Sequence, residues 1–114
     1  MAGPVRLIRR YSFEASHQLA HLPEDHPCTR LHGHGYHFEI TVEGNPDHRG
    51  MILEYGELDD FAAKVLDRYD HRHLNDFLKQ PTVEAIARDI YEMLPAFVER
   101  VRVWETERSS VEYP

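Results

Sequence analysis

Two histidines stand two residues apart in the segment His32-Gly33-His34, and the only cysteine, Cys28, comes four residues before the first of them. In an extended strand, side chains two residues apart project from the same face, so the two imidazoles would lie side by side. Gly33 carries no side chain, which allows a metal ion or ligand to approach the backbone closely. His17, at the end of the first strand-like run, offers a third imidazole. Three neutral nitrogen ligands suit zinc and leave a fourth position for water or substrate.

The same pattern permits two other interpretations. The chain contains nine histidines, so ordinary surface histidines could produce this spacing. Cys28 could also be a fourth ligand, which would close a purely structural tetrahedral zinc site. A lone cysteine is most often a small buried hydrophobic residue, but Cys28 lies in a polar loop that contains prolines. Spacing alone therefore leaves a catalytic site, a structural site and no site open.

The composition predicts a single small domain over residues 1–114, because 41% of the residues are hydrophobic. The formal net charge is −7 and no basic run extends beyond Arg9-Arg10, which argues against nucleic acid and anionic membranes as partners. A lone cysteine cannot form an internal disulfide, which fits a reducing compartment. No apolar stretch is long enough for a signal peptide or a membrane span, so a cytoplasmic location is expected.

Alternation of apolar and polar residues predicts two long strands. The first covers residues 5–15, with its apolar side chains at odd positions, and His17 continues this core-facing phase. The second covers residues 36–42, with its apolar side chains at even positions, and His32 and His34 continue that phase. All three histidines are therefore expected at strand ends, on the face that carries the core.

Two shorter strands are also predicted. Residues 44–50 are rich in turn formers and are expected to form a hairpin loop that leads to a short third strand, 51–53. Val101 and Val103 begin the last strand, and Glu105 continues their buried phase. A carboxylate in that position is costly unless it is paired, so Glu105 is expected to face a partner or ligand. The alternative is a strand that has already reached solvent at this point.

Two helices are predicted from apolar residues that recur at positions i, i+3, i+4 and i+7. One follows Gly56 and carries its stripe over residues 58–69; the other begins after Thr82 as N-cap and ends near Pro95. Residues 109–114 could add a short edge segment. The predicted order is β-β-β-α-α-β, an α+β fold in which an antiparallel four-stranded sheet carries two helices on one face.

The pair Asp70-His71, where the first helix should stop, adds an acid and a titrating base. A carboxylate beside an imidazole raises its basicity, and a thiol beside such a histidine can become a thiolate. Zinc would make a C–H next to a substrate hydroxyl or carbonyl more acidic, with Cys28 and His71 as acid–base groups. Taken alone, Asp70-His71 is more typical of a polar turn that ends a helix. A closed site with Cys28 on the metal would leave Asp70, His71 and Glu105 without a role.

The sequence resembles the 6-pyruvoyl-tetrahydropterin synthase and 6-carboxytetrahydropterin synthase family. Five short motifs carry the resemblance, occur in family order and span nearly the whole chain. They are Phe13-Glu14-Ala15-Ser16-His17, Cys28-x-x-x-His32-Gly33-His34, Asp70-His71-x-x-Leu74-Asn75, Pro81-Thr82-x-Glu84 and Glu105-Thr106. Each motif is weak by itself, but the set is highly specific.

The resemblance implies a T-fold, in which three sheets close a barrel and two trimers stack into a homo-hexamer with active sites between subunits. It also implies a role for each candidate residue. Zinc would be bound by three histidines, a cysteine would accept the proton through an Asp–His relay, and a Glu-Thr pair would bind the pterin ring. In this sequence these are His17, His32 and His34 for zinc, Cys28 with Asp70 and His71 for proton transfer, and Glu105 with Thr106 for the pterin. The resemblance also implies a catalytic role for Glu105 in the proton relay.

Three residues separate Cys28 from His32, a spacer that resembles the bacterial 6-carboxytetrahydropterin synthases of the queuosine (7-deazaguanine) pathway. The implied reaction converts 7,8-dihydroneopterin triphosphate to 6-carboxy-5,6,7,8-tetrahydropterin, acetaldehyde and triphosphate. Alternatives are the pyruvoyl-forming sister enzyme, a pterin-binding or side-chain-cleaving paralogue, and a non-catalytic zinc module with Cys28 as fourth ligand. Gln18 stands where the family often has a basic residue, so the triphosphate contacts are open; Arg30, Arg72 and His73 are candidates.

Overall fold

Two long antiparallel strands form the centre of the structure, a computed structural model that describes residues 3–19 and 22–114 and, at Cys28, the backbone alone. They are β1, Val5–His17, and β2, His32–Gly44. They pair over their whole length, from Val5 opposite Gly44 to His17 opposite His32. The predicted phases are confirmed, because the buried side chains of β1 lie at odd positions and those at the centre of β2 at even positions.

Two helices cover one face of the sheet, as predicted. The first, α1, is Tyr55–Tyr69, and the second, α2, is Val83–Met93. The Thr82 side chain accepts a hydrogen bond from the Ala85 N–H at 3.2 Å, which confirms it as the N-cap of α2. This cap also fixes the direction in which the chain enters the helix, and therefore the position of the residues just before it.

The sheet has five strands, so the predicted number of four is wrong. The other strands are β3, Arg72–His73, β4, Val98–Thr106, and β5, Ser109–Tyr113. Their spatial order is β3-β1-β2-β4-β5, with β3 parallel to β1 and every other pair antiparallel. The segment after α1, interpreted from sequence as a polar turn, therefore contributes an edge strand, and the expected C-terminal edge segment is confirmed as β5.

The predicted third strand, Met51–Leu53, and its hairpin loop are also wrong. Backbone groups in this segment are satisfied within a local turn: the Asp47 N–H donates to the Met51 carbonyl at 2.8 Å, and the Gly50 N–H donates to the Asp47 carbonyl at 2.9 Å. The Asp47 carboxylate also accepts from the Arg49 N–H at 2.8 Å. Asp47 thus offers the backbone an alternative to pairing with a strand. Ile52 and Leu53 still pack on the core, but from an irregular segment.

The core lies between the sheet and the two helices. Each long side chain buried there contributes about 1.5–3 kcal/mol through removal of apolar surface from water. Neither helix is long and apolar enough to cross a membrane, within the residues that the structure describes. The largest fully buried apolar side chains are Tyr36, Phe38, Ile40, Leu58, Val65, Tyr69, Leu74, Ile86, Ile90, Val98 and Val101.

Replacement of Thr82 by Ala removes the acceptor at the start of α2. We expect the free energy of unfolding to fall by about 1 kcal/mol, the usual value of an N-cap side chain. Urea denaturation of the two proteins measures the difference. Thr82→Ser keeps the hydroxyl and should stay close to the parent, so an equal loss in both variants would contradict the capping role.

Candidate metal centre

The three predicted ligand histidines meet at one end of the β1–β2 ladder. The register places His17 opposite His32 and Ala15 opposite His34, so the three imidazoles lie on the core-facing side of neighbouring strands. Their ring centroids are 4.5 Å apart for His17 and His32, 5.0 Å for His17 and His34, and 4.5 Å for His32 and His34. His17 is buried and the other two are half-buried. The strand pairing alone therefore brings the three rings together.

Backbone carbonyls fix the tautomers of two of these rings. The Nδ1 atom of His17 lies 2.8 Å from the Pro81 carbonyl oxygen, and that of His32 lies 2.7 Å from the Arg30 carbonyl oxygen. A carbonyl oxygen only accepts, so both Nδ1 atoms carry a proton and both neutral rings keep a lone pair on Nε2. The two Nε2 atoms face each other at 2.9 Å. Two lone pairs at this distance repel unless a proton or a metal ion lies between them.

Glu105, on β4, completes a group of four potential metal ligands with the three histidines. One ligand atom from each residue lies within 4.8 Å of all the others. The Glu105 Oε1 atom is 2.9 Å from His34 Nε2 and 3.2 Å from His17 Nε2. His34 Nε2 is buried and, despite this short distance, its geometry satisfies no hydrogen bond among the described residues. A buried nitrogen without a hydrogen-bond partner, beside two facing lone pairs, fits a metal ligand.

The electrostatics of the centre favour a positive ion. Contact with His17, and smaller contributions from His34 and His32, lower the pKa of the Glu105 carboxyl despite its partial burial, so the group is ionised near neutral pH. Burial lowers the pKa of His34, which favours the neutral form of this ring. At His17 burial acts in the same direction, but contacts with Glu105 and the Pro81 carbonyl outweigh it and raise the pKa. The pocket therefore stabilises added positive charge around His17.

Asp70 and His71 form an exposed pair beside β1. The His71 Nδ1 atom lies 3.0 Å from the Asp70 carboxylate, which also accepts from the Glu14 N–H at 3.0 Å. That backbone hydrogen bond, first among several contacts, holds the pKa of Asp70 below its usual range. His71 has a φ of 58°, in the left-handed region that non-glycine residues rarely adopt, and its N–H donates to the Glu14 carbonyl at 2.6 Å. Strained residues of this kind are concentrated at functional sites.

One open hollow of about 470 Å³ is lined by both His34 of the histidine cluster and His71. A ligand of moderate size in this hollow could contact both rings. Ser16 and His73 also line it, and the Ser16 Oγ and His73 Nδ1 atoms are 3.0 Å apart. The complete lining is Glu14, Ala15, Ser16, Gly33, His34, His71, Arg72 and His73.

The other predicted site residues lie around this centre. Cys28 belongs to a 3-10 turn, Pro27–Thr29, that precedes β2, but its side chain is outside the described part of the structure, so its predicted role is untested. Thr106 is exposed at the end of β4, where its hydroxyl accepts from the Arg108 N–H at 3.4 Å. Arg30 is exposed and contributes its carbonyl to His32.

Sequence reasoning missed Glu105 as a member of the ligand cluster. Its strand phase predicted a buried carboxylate in need of a partner, and the structure supplies that partner as His17 and His34 within the same chain. The pairing of β2 with β4 carried no clear sequence signal, and only that pairing brings Glu105 to the histidines. The hydrogen bonds from His17 and His32 to the carbonyls of Pro81 and Arg30 were not predicted, because every residue has a backbone carbonyl and the sequence does not show which of them accepts.

The fold and site define an α+β domain with a cluster of three histidines and one glutamate, which could bind a metal ion, at one end of its sheet. The family model described as 6-pyruvoyl tetrahydropterin synthase matches residues 6–114, so the chain belongs to this family, and the predicted resemblance is confirmed. The structure of 6-pyruvoyl tetrahydropterin synthase from Caenorhabditis elegans superposes with a TM-score of 0.87 at 26% identity, covering 97% of this chain and 95% of that one. The predicted T-fold class is thereby confirmed as well.

Two curated relatives bear different functional names. The 6-carboxy-5,6,7,8-tetrahydropterin synthase of Synechocystis is 32% identical over 119 residues, which cover 94% of this chain and 91% of the relative. The dihydroneopterin monophosphate aldolase of Pyrococcus furiosus is 34% identical over 113 residues, which cover 94% and 95% of the two chains. Both similarities span nearly the whole length, so identity and coverage alone do not choose between these two activities.

Replacement of His32 by Ala removes one of the two Nε2 lone pairs that face each other at the centre. We expect the purified variant to lose its bound metal, measured by elemental analysis, because three-coordinate protein sites depend on every ligand. His37→Ala is the matched control: it removes an imidazole from the same strand, on the opposite face, and should keep the metal. An unchanged metal content in His32→Ala would show that this ligand assignment is wrong.

Proposed function

We propose that this protein is a zinc-dependent lyase that converts 7,8-dihydroneopterin triphosphate to 6-carboxy-5,6,7,8-tetrahydropterin, with release of acetaldehyde and triphosphate. One observation carries the proposal: three imidazoles meet in one cluster, and His34 of that cluster lines a hollow that the strained His71 also lines. Zinc bound to His17, His32 and His34 would polarise a side-chain hydroxyl of the pterin and increase the acidity of the adjacent C–H. Every later step requires groups of the protein that accept and return that proton.

The Asp–His pair is suited to proton transfer. The Asp70 carboxylate at 3.0 Å fixes the His71 proton on Nδ1, so Nε2 of that ring is free to accept a proton. We assign the initial proton acceptance to the thiolate of Cys28, with Asp70 and His71 as its relay. Because His71 is 80% exposed within one chain, the substrate or a neighbouring subunit must complete its surroundings.

Basic groups at the hollow are suited to the phosphate end of the substrate. Gln18 is exposed, and Asn75 holds its backbone through two hydrogen bonds of 2.8 Å, so this position supplies no cation. Arg72 and His73 line the hollow, and the Arg72 guanidinium donates a long hydrogen bond of 3.4 Å to the carbonyl of Asp67. We assign the phosphate contacts to Arg72 and His73 for these reasons.

A homo-hexamer with sites between subunits would complete the centre. The outer edge of β1 has a strand partner, among the described residues, only at Ala15 and Ser16, where β3 pairs with it. β5 is the opposite edge of the same sheet. Ile8 is 55% exposed on the face that carries no helix. Unpaired strand edges and an exposed apolar side chain favour association with further copies of the chain.

A second candidate activity is an aldolase reaction on dihydroneopterin monophosphate. It is favoured by Gln18, which stands where a basic residue would contact a longer phosphate chain, and by a full-length relative that bears this name. A monophosphate needs fewer cationic contacts than a triphosphate, and Arg72 with His73 could suffice. The two activities would use the same metal centre on related substrates.

Mass spectrometry of the products separates these activities. The zinc-loaded protein is incubated in parallel with 7,8-dihydroneopterin triphosphate and with the monophosphate. We expect acetaldehyde and the 6-carboxy product from the triphosphate. Formation of the 6-pyruvoyl product would assign the sister activity, and turnover of the monophosphate alone would assign the aldolase. Absence of turnover of both substrates by a metal-loaded hexamer would support the non-catalytic zinc module instead.

Replacement of Cys28 by Ala tests the role of the thiol. We expect the variant to keep its zinc and lose turnover by a factor of about 100 or more, because it lacks the proton acceptor. Zinc content and initial rates are measured on the same preparation. Loss of metal together with activity would contradict this role and would indicate that Cys28 is the fourth ligand of a structural site.

A further inference from the structure

Glu105 lies against the metal-binding nitrogens of the histidines rather than against their outer nitrogens. We propose that its carboxylate is the fourth metal ligand in the substrate-free protein and that it leaves the metal when the pterin binds. Displacement of Glu105 by the pterin rests on the proposed function. Its role as fourth ligand concerns only the substrate-free metal centre and can be tested without turnover.

The four candidate ligand atoms all lie within 4.8 Å of one another, close enough to approach one ion together. Metal–ligand bonds of about 2.0–2.2 Å at tetrahedral angles place neighbouring ligand atoms about 3.3–3.5 Å apart. The observed separations are 2.9 Å between the Nε2 atoms of His17 and His32, and 3.2 Å and 2.9 Å from Glu105 Oε1 to His17 and His34. These atoms are slightly closer than ideal ligands and form one compact cluster.

The side of the ring that Glu105 contacts excludes the usual supporting role for a carboxylate. A carboxylate that orients a ligand histidine accepts from the ring nitrogen that does not bind the metal. In His17 and His32 that nitrogen is Nδ1, and the carbonyls of Pro81 and Arg30 already occupy it. Glu105 instead approaches Nε2 of His17 and His34. Its carboxylate therefore lies where a ligand lies, among the metal-binding atoms.

The sheet holds Glu105 in this position. β4 pairs with β2 through Trp104 opposite His37, so Glu105 is the next residue toward the histidine end of β2. The register between β4 and β5 shifts between Trp104 and Thr106, which places Glu105 at the irregularity. Such a shift redirects a side chain and loosens local pairing. A carboxylate held at a bulge can change partner without disruption of the rest of the strand.

The partial exposure of the cluster gives the substrate access to this ligand. The side chains of Glu105 and His34 are 29% and 26% exposed, while that of His17 is 1% exposed. A ligand that enters from solvent can therefore reach the Glu105 carboxylate and His34, while His17 is covered. Displacement of Glu105 opens one metal position for a substrate hydroxyl and frees the carboxylate to accept from the pterin ring N–H groups. The same group would thus close the resting site and recognise the substrate.

Cobalt(II) substitution tests the resting state. We expect the visible spectrum of the cobalt protein to stay constant between about pH 6 and 9, because a carboxylate in the fourth position leaves no solvent ligand to ionise near pH 7. Glu105→Gln should gain a pH-dependent spectral transition and lose metal affinity by about tenfold or more in a chelator competition. Glu107→Gln makes the same change on an exposed neighbouring glutamate and should behave as the parent.

Two results would overturn the assignment of Glu105 as the fourth ligand of the resting centre, and a third would overturn its displacement by the pterin. One is a pH-dependent transition in the parent that matches that of Glu105→Gln, since solvent would then already occupy the fourth position. The other is X-ray absorption of the zinc-loaded parent that requires a sulfur ligand. Addition of 7,8-dihydroneopterin to the cobalt-loaded parent should change the spectrum, and an unchanged spectrum with bound pterin would refute the displacement step. None of these readouts needs turnover, so failure of the proposed lyase activity remains a separate result.

Discussion

The repulsion between the His17 and His32 lone pairs is the constraint on which the centre depends. Each ring has its Nδ1–H committed to a backbone carbonyl, and each therefore directs an unshared pair at the other from 2.9 Å. Full-length pairing of β1 with β2 enforces this approach, because the register places the two residues opposite each other. Without a proton or a metal ion between the two nitrogens the arrangement is unfavourable. The strand ladder, rather than any loop, therefore creates this candidate metal site.

Different parts of the fold contribute to the same ring orientations. The Pro81 carbonyl precedes the N-cap of α2, so the cap at Thr82 helps to hold the acceptor for His17. The Arg30 carbonyl precedes β2 and holds His32. A metal ion that binds the folded centre more tightly than the unfolded chain stabilises the fold by the same coupling. A metal ion bound at the strand ends would thus be thermodynamically linked to the packing of α2 on the sheet.

Strand periodicity was sufficient to predict most of the cluster. The odd phase of β1 extends to His17, and the even phase of β2 includes His32 and His34. Because side chains alternate strictly between the two faces of a strand, this phase determines the face on which the three histidines lie. The helices were predictable for the same reason, since their apolar stripes are long. Met51–Leu53 was wrongly predicted to be a strand because three apolar residues are too few to distinguish a strand from an irregular segment that packs on the core. β3 was not predicted because a strand of only two polar residues shows no alternation of apolar and polar side chains.

Strand periodicity does not show which strands are neighbours in the sheet, and for this reason the contact of Glu105 with the histidines was not predicted. Its phase predicted that the carboxylate needs a partner, and the family resemblance offered the pterin as that partner. The structure adds a second one, because the pairing of β4 with β2 brings the carboxylate to the histidines of the same chain. The two assignments are compatible if the partners are used in turn. A buried anion would then never be left unpaired, since it neutralises the metal before the substrate arrives and binds ring N–H groups afterwards.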